Sequence, residues 1–164
     1  MPRTTSLIAA AMALAAAVSG CSRGGKANSG THTVTTLSQG AAQSINQRVQ
    51  GAVQPANTAL SEVVAQALGV ASGGKGNLQA SLPPAESALN RAVKDLQGIS
   101  GPAVLRSDLN EVESSMNTVI GDLQGLSSAS GSAQSQAISK LVADSGKVSA
   151  AENVAQLEVS QLSQ

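Results

Sequence analysis

From Leu37 onward, apolar residues recur at alternating intervals of three and four. That spacing places them on one side of an α-helix. Ile45, Val49, Ala52, Ala56, Ala59 and Val63 mark a first stripe, which Leu60, Val64 and Leu68 widen. Pro55 falls inside it; proline has no amide donor and crowds the preceding turn, so a kink or break is expected near Gln54. The glycines of "GVASGGKGN", Gly69 to Asn77, predict a loop. A second stripe runs through Leu82, Ala85, Leu89, Ala92, Leu96 and Ile99, with Ser81 as its expected N-cap and Pro83-Pro84 in the first turn.

The third stripe is the most regular. Leu105, Leu109, Val112, Met116, Val119 and Leu123 keep strict 4-3-4-3-4 steps, with Val104 and Ile120 alongside. Ser100 is the expected cap, with Pro102 tolerated at the start. Asp108, Glu111, Glu113 and Asp122 lie between the apolar positions and predict an acidic outer face. "GLSSASGS" is expected to close this helix and turn. A fourth helix is predicted from about Ala133 to Leu162, with Ile138, Leu141, Val148, Ala155, Val159 and Leu162 on its apolar side and Gly146 weakening its middle.

Each segment has one apolar stripe and needs partners to cover it. No alternating strand pattern competes. Residues 37–164 are therefore expected to form an all-α domain, an antiparallel bundle of about four amphipathic helices joined by short loops. A long trimeric coiled coil is the alternative, and the Gly and Pro interruptions favour folding back.

The chain before Leu37 is patterned differently. Residues 22–36, "SRGGKANSGTHTVTT", are polar and Gly-rich without apolar period, and read as a flexible tether. Ahead of them stand Arg3, an apolar run from Leu7 to Val18, and then Val18-Ser19-Gly20-Cys21. The run is shorter than the ~20 residues a membrane-spanning helix needs, and fits the core of an export signal. Aliphatic, small, small, cysteine is the lipobox pattern, and in this leader the chain resembles a bacterial lipoprotein precursor. The resemblance implies cleavage between Gly20 and Cys21, removal of the signal peptide 1–20, a diacylglyceryl group on the Cys21 sulfur and an amide-linked acyl chain such as palmitate on the new N-terminus. Two or three acyl chains hold a protein firmly at a bilayer, where one holds it marginally at ~0.8 kcal/mol per buried methylene. Cys21 is also the chain's one cysteine, which leaves no internal disulfide.

Composition narrows the function. The chain has no Phe, Tyr or Trp, so Leu, Ile, Val, Met and Ala must fill the core, and stacking against sugars or bases lacks its usual ring faces. Formal charge is zero but uneven. Arg23, Lys26, Arg48 and Lys75 stand against Glu62 alone as far as Lys75, whereas nine of the ten acidic residues follow. The anchored part is thus basic and the rest acidic, which argues against nucleic acid as a partner.

Chemistry-bearing patterns are sparse. The one histidine, His32, falls in the tether, so neither a Ser-His-acid site nor a transition-metal site has its usual donors. Asp108, Glu111 and Glu113 read as a solvated face rather than a glycosidase-type acid–base pair. Gly69 to Lys75 has part of the phosphate-loop spacing, but Gly76 replaces the Ser/Thr and no strand precedes it. The terminal "EVSQLSQ" lacks the lysine through which the loosely similar helical murein lipoproteins join the cell wall, so that attachment is not expected. No catalytic residue, metal or cofactor is expected. The expected function is that of a non-catalytic, lipid-anchored interaction or scaffolding module on the extracytoplasmic side of a bacterial cell membrane, or of the outer membrane in a two-membrane host. Its expected partners are the membrane, through its lipid, and another envelope protein. The alternatives are a carrier of lipid or another amphiphile, and a regulatory or exclusion lipoprotein.

Overall fold

In the computed structural model, residues 37–74 and 77–164 are described, and four α-helices account for most of them: α1 (Gln39–Ala71), α2 (Leu78–Gln97), α3 (Ala103–Ser128) and α4 (Ser132–Gln161). No strand occurs among the described residues. The leader 1–20, Cys21 and the predicted tether to residue 36 lie outside them.

Local signals start and stop α1 as its sequence suggests. Ser38 caps the N-terminus, its Oγ accepting from the Ala41 amide at 3.3 Å. At the other end the Gly74 amide donates to Gly69 O at 2.8 Å and the Gly73 amide to Val70 O at 3.0 Å. Gly73 turns left-handed at φ 83°, which completes a Schellman motif that only glycine enters without strain.

Three expectations about helix limits are corrected. Pro55 does not break α1, which runs unbroken from Gln39 to Ala71. Pro55 and Gly51, whose carbonyl loses its partner, both lie on the exposed face, where water replaces the missing donor. The second helix starts at Leu78 rather than after Ser81, because Leu78 is buried one turn before Leu82 and extends the core stripe. Pro83 and Pro84 consequently sit in the second turn, on the exposed side. Pro102 takes the N-cap position of α3 in place of Ser100, its carbonyl accepting from the Arg106 amide at 3.0 Å. Leu126, fully buried, carries α3 through "GLSS" to Ser128 before Gly131 makes the turn.

The helices pack in a ring: α1 on α2, α2 on α3, α3 on α4 and α4 back on α1. Cross-links between opposite ends establish that every neighbouring pair is antiparallel. Arg48 of α1 reaches Gly98 beyond α2, Gln79 of α2 reaches Ser127 of α3, and Lys140 of α4 reaches Asp122 of α3. The ring closes where the Leu37 amide donates to Leu162 O at 2.8 Å. The core is aliphatic throughout. Leu89 and Leu96 of α2, Leu105, Leu109, Met116 and Leu123 of α3 and Leu141 of α4 are among its largest fully buried side chains. Leu68 and Val104, on the flanks of their stripes, stand in solvent instead. The two most closely packed neighbours are α3 and α4. The loosest are α1 and α4, although they are the longest helices. No helix among the described residues is long and apolar enough to cross a membrane.

Candidate functional site

Gly20, Cys21 and His32 all fall outside the described residues, so the structure does not bear on lipidation at Cys21 or on the tether histidine. In the glycine-rich stretch after α1, the amides of Ser72, Gly73 and Gly74 are all spent on carbonyls of the helix's last turn. A helix C-terminus carries partial negative charge. These glycines end a helix, and the geometry opposes an anion there.

The acidic outer face predicted on α3 is corrected at two of its four positions. Glu111 is exposed and Asp108 half-buried, but Glu113 and Asp122 are buried. Positions 113 and 122 each lie three residues from a core residue, Met116 and Val119, and so turn toward the neighbouring helices. Glu113 pairs with Arg106, whose Nη1 also donates to Leu96 O at 3.0 Å. The Arg48 guanidinium donates to Gly98 O at 2.7 Å, so two arginines stand at the negative end of α2. Asp122 pairs with Lys140, which also reaches Asp144 at 3.2 Å, while Lys147 reaches Asp144 at 2.6 Å. The two lysines, Lys147 foremost, hold the Asp144 carboxyl down to about 2. Burial pushes Asp122 up despite Lys140, and its Oδ2 has no partner. These carboxylates clamp α3 to α4 and to α2 rather than forming an open surface.

The seam between α1 and α4 is the most loosely packed of the four. A recess of about 540 Å³ opens on it, lined by Gln50, Gln54, Asn57 and Thr58 of α1 and by Glu152 and Gln156 of α4. Further recesses continue along the same seam. One of about 410 Å³ lies toward Ser145 and Ser149, another of about 340 Å³ toward Gln43 and Ser160. The walls of the first and the last are mostly amides and hydroxyls, the one toward Ser145 and Ser149 is half apolar with Leu60, Val64 and Val142, and none of the three has a lysine or arginine. Stepping by three and four brings these polar side chains to the edge of each stripe: Gln50, Gln54, Asn57 and Ser61 on α1, and Ser145, Ser149, Glu152 and Gln156 on α4.

Glu152 is the one charged residue in this recess and is only 5% exposed. Its Oε2 accepts from Asn57 Nδ2 at 2.7 Å, and its Oε1 is buried without a partner. Burial raises its pKa, and the Asn57 bond offsets this in part. Sequence reasoning missed Glu152, although a signal was present. It lies four residues after Val148 and three before Ala155, in register with the apolar stripe, where a carboxylate has no solvated place.

A pH dependence follows. Folded Glu152 keeps its proton to higher pH than the unfolded chain does. Its contribution to stability is therefore complete below the ordinary glutamate value and is lost as pH rises through the raised folded value. Glu152→Gln keeps the shape and cannot titrate. Its melting temperature relative to the unsubstituted protein is expected to rise as the pH climbs above the ordinary glutamate value. A difference that does not change with pH would contradict this account of the seam.

Comparison with protein-family models, with curated proteins and with solved structures finds no match for this chain.

Proposed function

We propose that this protein is a non-catalytic, lipid-anchored interaction module on the extracytoplasmic face of a bacterial membrane. The observation that carries the reading is the run from Leu7 to Cys21, a short apolar segment ending in Val18-Ser19-Gly20-Cys21. The polar residues 22–36 then lead to a bundle that begins at Leu37. Leu37 is bonded to Leu162, so the chain enters the bundle at the end that also holds residues 98–102. The C-terminus of α1, the N-terminus of α2 and residues 129–131 lie at the opposite end, about 45 Å away along α4 at 1.5 Å per residue.

Two features support a module that meets a partner. The carboxylates of Glu113, Asp122 and Asp144 are engaged by Arg106, Lys140 and Lys147 and serve the fold, which supports a non-catalytic role. Two of the three seam recesses are lined largely by amides and hydroxyls and offer an acyl chain little apolar bed, and the third, with Leu60, Val64 and Val142, is short, which favours partner binding over lipid carriage.

Replacement of the anchor tests the reading. Cys21→Ser is expected to move the protein from the membrane fraction to the soluble fraction, while the unsubstituted protein stays with membranes through a high-salt wash. An unmodified thiol at the mature N-terminus by mass spectrometry, or a Cys21→Ser protein that remains membrane-bound, overturns it.

A further inference from the structure

We propose that the outer face of α4 is a self-association surface, on which a second copy of this chain docks antiparallel about a two-fold axis. The proposal is independent of anchoring and stands whether or not Cys21 carries lipid. It starts from side chains that the fold leaves unused. Each helix buries one stripe, yet α4 carries a second on its opposite side: Ala143, Gly146, Ala150, Val154 and Leu157 step by three and four and are all exposed. Val154 and Leu157, at 50% and 62% exposure, are two of the four large apolar side chains that stand in solvent among the described residues, and they lie one turn apart. The other two, Leu68 and Val104, are on different helices.

The sequence of that face is complementary to itself when reversed. Gly146-Lys147 and Leu157-Glu158 are eleven residues apart, about three turns at 3.6 residues per turn, so the glycine lies in line with the leucine and the lysine with the glutamate. Lys147 bonds Asp144, and Lys140 joins that carboxylate to Asp122 of α3, which puts Lys147 and Glu158 on the flank of α4 toward α3. A two-fold axis perpendicular to α4 at the level of Glu152 keeps equivalent flanks together. It brings Ala150 opposite Val154 of the second copy, Leu157 over its Gly146 and Glu158 beside its Lys147, each contact made twice. Gly146 leaves the hollow that receives the leucine, since a Cβ there would meet nothing within 4 Å. Lys147 is 71% exposed, with N–H groups beyond the one given to Asp144, and Glu158 has no cation among the described residues. A parallel pair would instead turn this charged flank against Ser149 and Gln156, where no charge answers it. The stripe is about 21 Å long at 1.5 Å per residue. One helix face of that length buries less than the ~1,200 Å² of a standard interface, so the dimer is weak and forms at high local concentration.

The test uses the full-length protein in uncharged detergent micelles, by sedimentation equilibrium and amide NMR over a concentration series up to about 1 mM. A monomer–dimer equilibrium is expected, with concentration-dependent shifts at Gly146, Ala150, Val154 and Leu157 and none at Leu68 or Val104. Leu157→Ala, at an exposed position that leaves the core untouched, is expected to weaken association at least about tenfold. Gly146→Leu fills the hollow with a better helix former, and should weaken association without lowering the melting temperature. Glu158→Lys sets like charges against Lys147 and should weaken the dimer, whereas the exchange Lys147→Glu/Glu158→Lys should associate more tightly than Glu158→Lys alone. A protein that stays monomeric throughout the series, shifts centred on another face, undiminished association of Leu157→Ala, or indifference to Glu158→Lys, as a parallel pair would show, overturns the proposal.

Discussion

Leu109→Ala is expected to lower the unfolding free energy by about 2–5 kcal/mol, measured as a shift in urea midpoint at constant slope. Leu109 is completely buried on α3, the helix that packs both on α2 and most closely on α4. Removing its branched end costs the transfer free energy of the lost methyl groups and leaves a cavity besides. This core refills such a cavity poorly. With no aromatic ring in the chain, its walls are short Leu, Val and Ala side chains whose rotamers reach little further than they already do. A domain of this size holds only about 5–15 kcal/mol in total, so one such truncation removes a large share. Leu157→Ala, on α4 at 62% exposure, is the matched control and should change stability by less than about 0.5 kcal/mol. Equal small losses at both positions would mean that the α3 stripe is not the centre of the bundle.

The same contrast explains what the sequence disclosed of the fold. Leu105 to Leu123 step by three and four over five turns, and every residue of that stripe is buried. Periodicity was a sufficient guide because helix and stripe are both local. Helix ends were harder to place, since capping residues such as Ser81 and Ser100 are weak signals beside a buried leucine. Leu78 extended α2 ahead of the point its serine suggested, whereas α3 closed within "GLSSASGS" as expected. Pro55 failed to break α1 because its cost falls on an exposed face, while Val53 and Ala56 on the inner side keep the helix continuous.

The candidate site was less legible for a different reason. Its key bond joins Asn57 to Glu152, 95 residues apart, and only ring closure of the bundle brings them together. No spacing rule carries that information. A coarser warning was there all the same. Glu113, Asp122, Asp144 and Glu152 each sit three or four residues from core positions on their own helix, yet an acidic residue on a helix is readily assigned to its outer face. Three of the four have a cation at hand, and Glu152 alone has an amide instead.

Arg106→Met is the second substitution with a large expected cost, about 2–4 kcal/mol by thermal or urea unfolding. The guanidinium of Arg106, 29% exposed, does three things at once. It pairs with Glu113, donates to Leu96 O at the end of α2, and bonds Asn110 Oδ1 through Nε at 2.9 Å and through Nη2 at 2.6 Å. Methionine keeps the apolar stem but leaves the Glu113 carboxylate buried without its cation and the Leu96 carbonyl without this donor. Most of the loss then comes from the stranded carboxylate rather than from the absent attraction. That assignment makes a sharper expectation: the double variant Arg106→Met/Glu113→Leu should recover much of the stability that Arg106→Met loses. Arg106→Lys should restore the charge but not the fork that reaches Asn110, Leu96 and Glu113 together, and should fall between the two. If the double variant is no more stable than Arg106→Met, the tie to α2 through Leu96, and not the ion pair, is what Arg106 contributes to the bundle.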